Sequence, residues 1–589
     1  MSFFAGLVSR RSEAPLDGAD CEALRRALSR HPDETITEFR SPAVYFAKVD
    51  IGAFGVPAWS DRADGSVSML AGQPLLRHSA PGRDTRADDL EVLHDEWTRG
   101  NDRVLREARG VFCAAHYDQA TERLTLATDK MGVRPIYYWI GEDVVVFATA
   151  LRILEALAVV PKVADLRGVT ELACLGVPLN RRTPYADIRV LRSAEVVRVS
   201  GAAVTSSRYW RWDRIAPSTR PEPDLVRAAY DRFAEAIDIR LRGDRTVTAF
   251  LSGGLDSRAV IGLLRDRGVA VHTFNFSVPD TQDRVFARQF AHAAGTVHHE
   301  AAMEAEVELR FSTMLSQHLA TLSRSTGLAP DRPKVAWSGE GGSMGAGHIY
   351  QTKAMVDFLR AGARDAAINA YLDQQKAFVL NRLLQPGVSA ALADVPRRGM
   401  AEEFDDIRSP DRGRGIYLFL LLNDQRRHLA THFENLDLDR LELQTPFYDS
   451  DFLQAMIEAP IDLCLGHRFY MKWLSHFPPT VTAVPWQFYP GHIPCPLPIP
   501  KGLHYQWQGR ALAAFAEPRR RELLRDARAM LSAPDFPDDT LRKHTIRLAA
   551  WISRAALGNY DYVLHHASIY YRYWSRARGR WTMSSAASG

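Results

Sequence analysis

The chain has 589 residues, a mass of 66.0 kDa and a formal net charge of +4, with 46% hydrophobic and 24% charged residues. That length holds two or more domains with their own cores, and the small charge does not require a nucleic-acid partner. Five scattered cysteines (Cys21, Cys113, Cys174, Cys464 and Cys495) argue against a disulfide framework or a zinc site, and no run approaches the roughly 18 apolar residues of a membrane span. With no signal-peptide pattern at the N-terminus, the expected location is the cytoplasm, without stable membrane insertion.

Residues 1–213 read as a β-rich domain with two helical insertions. Runs at 44–49, 67–70, 111–117, 124–128, 136–140 and 144–148 have strand character. Leu90, Leu93 and Trp97 give 88–97 a helical spacing, and 165–175 is the second predicted helix. Residues 210–223 are rich in Pro, Arg and Ser and read as a linker into a second domain over 214–589.

In that domain Leu225, Ala229, Phe233, Ile237 and Leu241 recur every four residues, the mark of a helix with one buried stripe. Gly243-Asp244 turns the chain into the strand Val247-Thr248-Ala249-Phe250-Leu251. This runs into Ser252-Gly253-Gly254-Leu255-Asp256-Ser257 and opens a helix. A strand that ends in glycines before a helix is a phosphate cradle. Its backbone approaches closely, its amides face the anion, and the helix dipole favours negative charge. Asp256 is misplaced for direct phosphate contact, and a carboxylate beside a polyphosphate points to Mg²⁺ between them. The loop lacks the Gly-Lys-Ser/Thr ending of a Walker A motif and is too short for a dinucleotide fingerprint.

A strand at 270–276, a helix at 283–294 and a strand at 296–300 follow. This β-α-β-α-β series predicts a doubly wound parallel sheet. His298 and His299, adjacent in a strand, point to opposite faces and are read as structural. A second glycine loop, Ser338-Gly339-Glu340-Gly341-Gly342-Ser343, follows a short apolar strand. Glu340 there is either a metal ligand or an acceptor for the loop's own amides. Residues 357–476 read as mostly helical, with a polar cluster at 424–428 and 432–434 that is either a substrate site or a solvated face. The proline density of 485–501 predicts an extended, pre-ordered loop: a lid, a peptide groove or a packed surface loop. Basic, aromatic helices resume after 508, and 584–589 read as frayed.

The loop at 252–257 resembles the pyrophosphate loop of the ATP-pyrophosphatase superfamily, in which ATP is cleaved between its α and β phosphates. Residues 272–300, with Asp283 and Gly295-Thr296-Val297-His298-His299-Glu300, are similar to the nucleotide domain of asparagine synthetases. That family's second loop resembles Gly-Glu-Gly-Ser-Asp-Glu, and Ser343 and Met344 stand at its two acidic positions here. Glu442-Leu443-Gln444-Thr445-Pro446-Phe447-Tyr448-Asp449 matches the family's Glu-x-Arg-x-Pro-Phe-Leu-Asp with Gln444 in place of arginine. Phe469-Tyr470-Met471-Lys472-Trp473-Leu474 resembles its lysine-containing helix. Upstream, Arg109-Gly110-Val111-Phe112 and residues 124–138 are similar to the glutaminase domain of class II glutamine amidotransferases. That resemblance implies an αββα sandwich with an N-terminal cysteine nucleophile. Ser2-Phe3-Phe4-Ala5-Gly6 stands in that place here. None of the five cysteines substitutes, because the chemistry uses the nucleophile's own α-amine as base.

The fold class expected is therefore α+β and α/β. A degenerate, inactive amidotransferase-like sandwich over 1–213 precedes an ATP-pyrophosphatase domain with a helical C-terminal part over 214–589. The resemblance implies ATP and Mg²⁺ as cofactors. The nucleotide-binding residues it implies are Leu251, Ser252, Gly253, Gly254, Leu255, Asp256, Ser257, Phe276, Ser338, Gly339, Glu340, Gly341 and Gly342, with Asp256 as metal ligand. Lys472 and Lys501 are candidates for the catalytic cations. Glu434 or Glu442 would take the amine's proton or order the site. Without a working glutaminase the amine belongs to the substrate, and the variant second loop, the proline segment and Ser2 look most like the lasso peptide macrolactam cyclases. Such a cyclase adenylates an Asp or Glu side chain, which the peptide's N-terminal amine attacks. Its expected partners are a precursor (core) peptide, a leader peptidase and a leader-peptide recognition protein, with no nucleic acid. The alternative is an asparagine synthetase-like amidotransferase using ammonia or a small-molecule amine. A nucleotide-binding regulator without chemistry is the third reading.

Overall fold

The computed structural model describes residues 2–11, 15–31, 34–76, 86–301, 311–326, 329–505 and 510–583. Its first domain stacks two antiparallel sheets. One runs in the order β11-β8-β9-β1-β3-β2, formed by β1 (Ser2–Ser9), β2 (Ile36–Arg40), β3 (Val44–Asp50), β8 (Tyr137–Ile140), β9 (Val144–Ala148) and β11 (Arg189–Val190). The other runs β13-β12-β7-β6-β5-β4, formed by β4 (Trp59–Asp61), β5 (Val67–Gly72), β6 (Phe112–Asp118), β7 (Arg123–Thr128), β12 (Glu195–Ser200) and β13 (Ala203–Arg208). Phe4, Val8, Phe46, Met69, Leu126 and Phe147 fill the space between the sheets. Helices α1 (Gly18–Leu28) and α3 (Leu151–Ala156) cover the first sheet, and α2 (Arg86–Thr98) covers the second. This is the expected αββα sandwich.

All six strands predicted in this region form, as do both predicted helices, the second as α4 (Leu166–Leu175). The sequence reading misses α1, α3 and β1. β1 is the third strand in from the edge of its sheet on the β2 side and is buried on both faces: Phe4 and Val8 point between the sheets, while Phe3, Ala5 and Leu7 point to the helices. A strand buried on both sides shows no alternation. The expected linker is also partly fixed. Trp212 is buried, its Nε1–H donating to the Lys130 carbonyl at 2.7 Å.

The second domain holds a five-stranded, wholly parallel sheet in the order β16-β15-β14-β17-β18. Its strands are β14 (Thr246–Phe250), β15 (Ala270–Phe276), β16 (Val297–Ala301), β17 (Val335–Trp337) and β18 (Glu442–Gln444). Helix α5 (Glu222–Leu241) buries Leu225, Ala229, Phe233 and Ile237 on the sheet, as its spacing predicts. Helices α6 (Leu255–Asp266) and α7 (Gln282–Ala294) make the crossovers. Gly295, at φ 63°, caps α7 in a left-handed conformation that few side chains tolerate. His298 and His299 do take opposite faces, His298 on the Thr273 hydroxyl and His299 on the His272 and Phe274 rings. The stretch read as mostly helical contains β18, which closes the sheet beside β17.

The C-terminal helices return to the first domain. β10 (Ala164–Asp165) pairs with β19 (Trp581–Thr582), and the Tyr570 hydroxyl meets that of Thr170 at 2.9 Å. Residues 584–589, expected to fray, lie outside the described residues.

Candidate active site

The two glycine loops lie side by side at the carboxyl end of the parallel sheet, where open α/β sheets bind ligands. Their glycines are required by contact. A Cβ on Gly339 would stand 2.6 Å from the Ser257 amide nitrogen, and one on Gly342 would stand 2.5 Å from the Asp256 carboxyl carbon. A Cβ on Gly253 would come within 2.7 Å of the Asp283 Cα. Gly341, at φ 90°, lies under the Tyr448 ring. The Ser252 amide donates to Ser257 Oγ at 3.2 Å, Gly254 N–H to Ser252 Oγ at 3.2 Å and Gly253 N–H to Asp283 Oδ1 at 2.8 Å. Helix α6 starts at Leu255, so its first-turn amides face back into the loop.

Asp256 sits where the loops touch. Tyr470 Oη donates to one carboxylate oxygen at 2.6 Å and Ser343 Oγ to the other at 2.7 Å. Burial pushes its pKa up to about 6, against the pull of these two hydroxyls. Glu340 is exposed, and the amide of its own residue donates to Ser338 Oγ at 3.2 Å. Phe276, at the end of β15, makes an apolar wall with Phe250 and Phe274.

Residues 484–504 form a strap tied at one end to the first loop and its helix and at the other to the connection between β15 and α7. The Arg258 guanidinium donates to the Val484 and Pro485 carbonyls at 3.0 and 2.7 Å. Gln487 N–H donates to the Gly253 carbonyl at 3.0 Å, and its side-chain amide to Asp283 Oδ1, also at 3.0 Å. At the far end the His504 amide donates to Asp280 O, and Gln282 N–H donates to His504 O. Trp486 is only 2% exposed, so it anchors the strap and offers no face to a substrate. Asn275 completes the frame, donating to the Leu251 carbonyl and to Asp283, both at 2.9 Å. The sequence reading gave Asn275, Arg258 and Gln487 no role. Nothing in the spacing of Asn275 and Gln487 joins them to the loop, and Arg258, which directly follows Ser257, meets the strap only in the fold.

Residues 77–210 match the glutamine amidotransferase domain family, and residues 228–468 match the asparagine synthase family. Over those residues the chain is similar to the two families. It is 24% identical over 239 residues to asparagine synthetase [glutamine-hydrolyzing] 3 of Bacillus subtilis, covering 37% of this chain and 38% of that protein. It is 26% identical over 303 residues to asparagine synthetase [glutamine-hydrolyzing] of Rattus norvegicus, covering 46% of this chain and 51% of that one. Against amidase chyE of Penicillium rubens it is 27% identical over 198 residues, covering 32% and 29%. The chain thus spans between 29% and 51% of the length of these relatives.

Lys501 lies exposed on the strap. The structure does not bring Lys472, Glu434 or Glu442 to the glycine loops. Lys472 is two residues from Tyr470 on one short helix, but its ammonium pairs with Glu222 at 2.6 Å, beside a mostly apolar cavity of about 410 Å³. Glu442 is fully buried on β18 and pairs with Arg134 of the sandwich at 2.6 Å. Glu434 accepts the Leu151 amide at 3.1 Å and so joins the sandwich to the helical region. Of the polar cluster at 424–428, Asp424 pairs with His428 at 3.2 Å; the side chains of Gln425, Arg426 and Arg427 lie outside the described residues.

Glu434 makes one prediction here. Burial raises its pKa from 4.5 to about 7, with Leu151, Tyr137 and Arg152 opposing the shift and Glu155 adding to it. A carboxyl whose folded pKa exceeds its unfolded value stabilises the fold below the unfolded value. That contribution is lost as pH rises through the folded one. Glu434→Gln, which keeps an acceptor for Leu151, is expected to flatten the fall in Tm between pH 5 and pH 8. Parallel Tm curves for the two proteins would refute it.

The donor set also bears on Mg²⁺. Among the described residues no group of three or more His, Cys, Asp or Glu side chains is arranged to hold a metal. A single carboxylate against a phosphate cradle does fit Mg²⁺ that arrives on a nucleotide, since this ion keeps most of its waters and takes one or two carboxylates plus phosphate oxygens. Asp256 is the residue that would hold it, and charge neutralisation on the leaving phosphates is what it would supply.

Proposed function

We propose that the protein forms an amide bond at the expense of ATP, releasing AMP and pyrophosphate, and that its product is a macrolactam ring in a short peptide. The observation that carries the nucleotide part is the pair of interlocked glycine loops around Asp256 at the open end of α6. A carboxylate oxygen of a peptide Asp or Glu attacks the α-phosphorus, the bond to the β-phosphate breaks, and pyrophosphate leaves. The N-terminal amine of the same peptide then attacks the acyl carbon and AMP leaves. Holding both groups on one chain provides an effective molarity that reaches about 10⁵ M or more. Lys501, on the strap over the loop, is the cation we assign to the leaving phosphates. The partners proposed are the precursor peptide, a leader peptidase and a leader-recognition protein.

What supports an internal amine is the N-terminal sequence, with Ser2 in place of a cysteine, and the packing between domains. There Arg134, Glu442, Gln73 and Gln444 are buried and bonded to one another in pairs. The amidotransferase match favours a second reading, in which ammonia or a small amine is the nucleophile.

Mass spectrometry separates them. A trimmed peptide with a free N-terminus and an internal Asp or Glu is expected to lose one water in the presence of ATP, and N-terminal acetylation to block the loss. Gain of a carboxamide, or glutamate release from glutamine that Ser2→Ala abolishes, would establish the second reading instead.

A further inference from the structure

Two histidines from separate segments meet next to Tyr470, and a third follows Gly347, whose Cβ position faces His467 Nε2. His467 precedes the helix Arg468–Leu474, His348 follows the second glycine loop, and His492 lies on the strap. The His467 and His492 ring centroids are 4.2 Å apart, and His467 is 5.2 Å from the Tyr470 ring, whose hydroxyl holds Asp256. His348 stacks on Tyr417 at 4.3 Å.

Backbone carbonyls set the tautomers of two of them. His348 Nδ1 lies 3.0 Å from the Ala346 carbonyl, and His492 Nδ1 lies 3.3 Å from the Pro490 carbonyl. A carbonyl only accepts, so in the neutral rings these Nδ1 atoms carry the hydrogen and each Nε2 presents a lone pair. Burial holds all three rings neutral, with His348 and His467 lowered to about 3. Among the described residues, Nε2 of His348, His467 and His492 is buried and has no hydrogen-bond partner. Backbone strain collects at the same place: His348, Tyr350 and His467 have φ of 52°, 66° and 67°, a left-handed conformation that non-glycine residues rarely adopt. Gly347 has no side chain where a Cβ would stand 2.9 Å from His467 Nε2, so the approach to that nitrogen is clear of one.

The Nε2 atoms of His348 and His492 are unpaired acceptors, and an unpaired acceptor selects a donor. Carboxylate and phosphate oxygens have no hydrogen to give, whereas an amine does. We propose that His467 and His492, with His348 beside them, form the site that receives the attacking amine next to the metal-nucleotide loop. The inference rests on the amide-forming reading above. The amine nitrogen's lone pair makes the C–N bond and the acyl C–O bond breaks. AMP leaves with that electron pair, the amine's proton leaves to solvent, and the neutral imidazoles hold the amine in place by accepting its N–H hydrogen bonds. The ligand is a primary amine or ammonia.

The experiment separates activation from amide formation in the full chain. His467→Phe keeps a ring and loses the nitrogens; His467→Gln restores an acceptor. With His467→Phe and with His492→Phe, peptide-dependent ATP–pyrophosphate exchange is expected to stay within about twofold of wild type. Amide formation is expected to fall by about 10–100-fold, the worth of one or two lost hydrogen bonds to the amine. Hydroxylamine at high concentration, which needs no positioning, should intercept the acyl-adenylate equally well in variants and wild type, and His467→Gln should recover part of the loss. Running the free-amine peptide against an acetylated peptide with ammonium chloride tells which amine the site takes. Loss of exchange in parallel with amide formation, or full amide formation in both Phe variants, overturns the amine site. No exchange in the wild type with any carboxylate peptide overturns the adenylation reading, and the amine site with it.

Discussion

Asp256→Ala is expected to abolish AMP and pyrophosphate formation, with a loss of at least about 10²–10³-fold, while leaving the protein folded. Asp256 is the one carboxylate that the two loops enclose, and Tyr470 and Ser343 aim both of its oxygens. Removing it takes away the negative charge that would hold the metal against the phosphates, an electrostatic contribution of that order. Alanine also leaves two hydroxyls without an acceptor, which costs about 1–3 kcal/mol of stability. Asp256→Asn keeps an acceptor and loses only the charge. It should therefore retain the wild-type Tm and still be inactive. Turnover of Asp256→Asn at the wild-type rate would remove the metal role, and ADP with orthophosphate as products would overturn the pyrophosphatase assignment altogether.

The largest stability loss is expected at Asp449, which makes no contact with the loops. It is fully buried and pairs with Arg240 of α5 at 2.9 Å and with Arg109 of the sandwich at 3.0 Å. It also accepts the Asp451 and Phe452 amides and so caps the helix Ser450–Glu458. Asp449→Ala leaves two guanidiniums, each only 2% exposed, without their shared partner. Removing one member of such a buried pair costs about 3–5 kcal/mol. Denaturant unfolding should show the midpoint falling further for Asp449→Ala than for Asp256→Ala. A smaller shift than at Asp256 would mean that this ion pair does not hold the domains together. The Pro446-Phe447-Tyr448-Asp449 motif would thus serve domain docking.

Local pattern was enough for much of the architecture. The period of four in α5 and the strand-glycine-helix order at 246–257 depend on neighbours a few residues apart, and they appear where the spacing put them. So does the first glycine loop, because a phosphate cradle is a local backbone device. Elements whose character comes from distant partners were not legible. β1 is buried on both faces and so shows no alternation, and β18 is three residues long with two polar ones, a strand only because β17 lies beside it. Side-chain placement followed the same division. Glu434 and Glu442 look like free carboxylates in sequence, yet Leu151 and Arg134 engage them from the other domain. Tyr470 and Lys472 share one short helix, but the helical twist turns Tyr470 to Asp256 and Lys472 to Glu222. The stretch 485–501 reads as a lid, a peptide groove or a packed loop, and only the anchoring of Gln487 to Gly253 and Asp283 shows Trp486 buried beneath it. Periodicity and backbone chemistry are properties of a segment, whereas burial and pairing belong to the segments it meets. Only tertiary structure sets those.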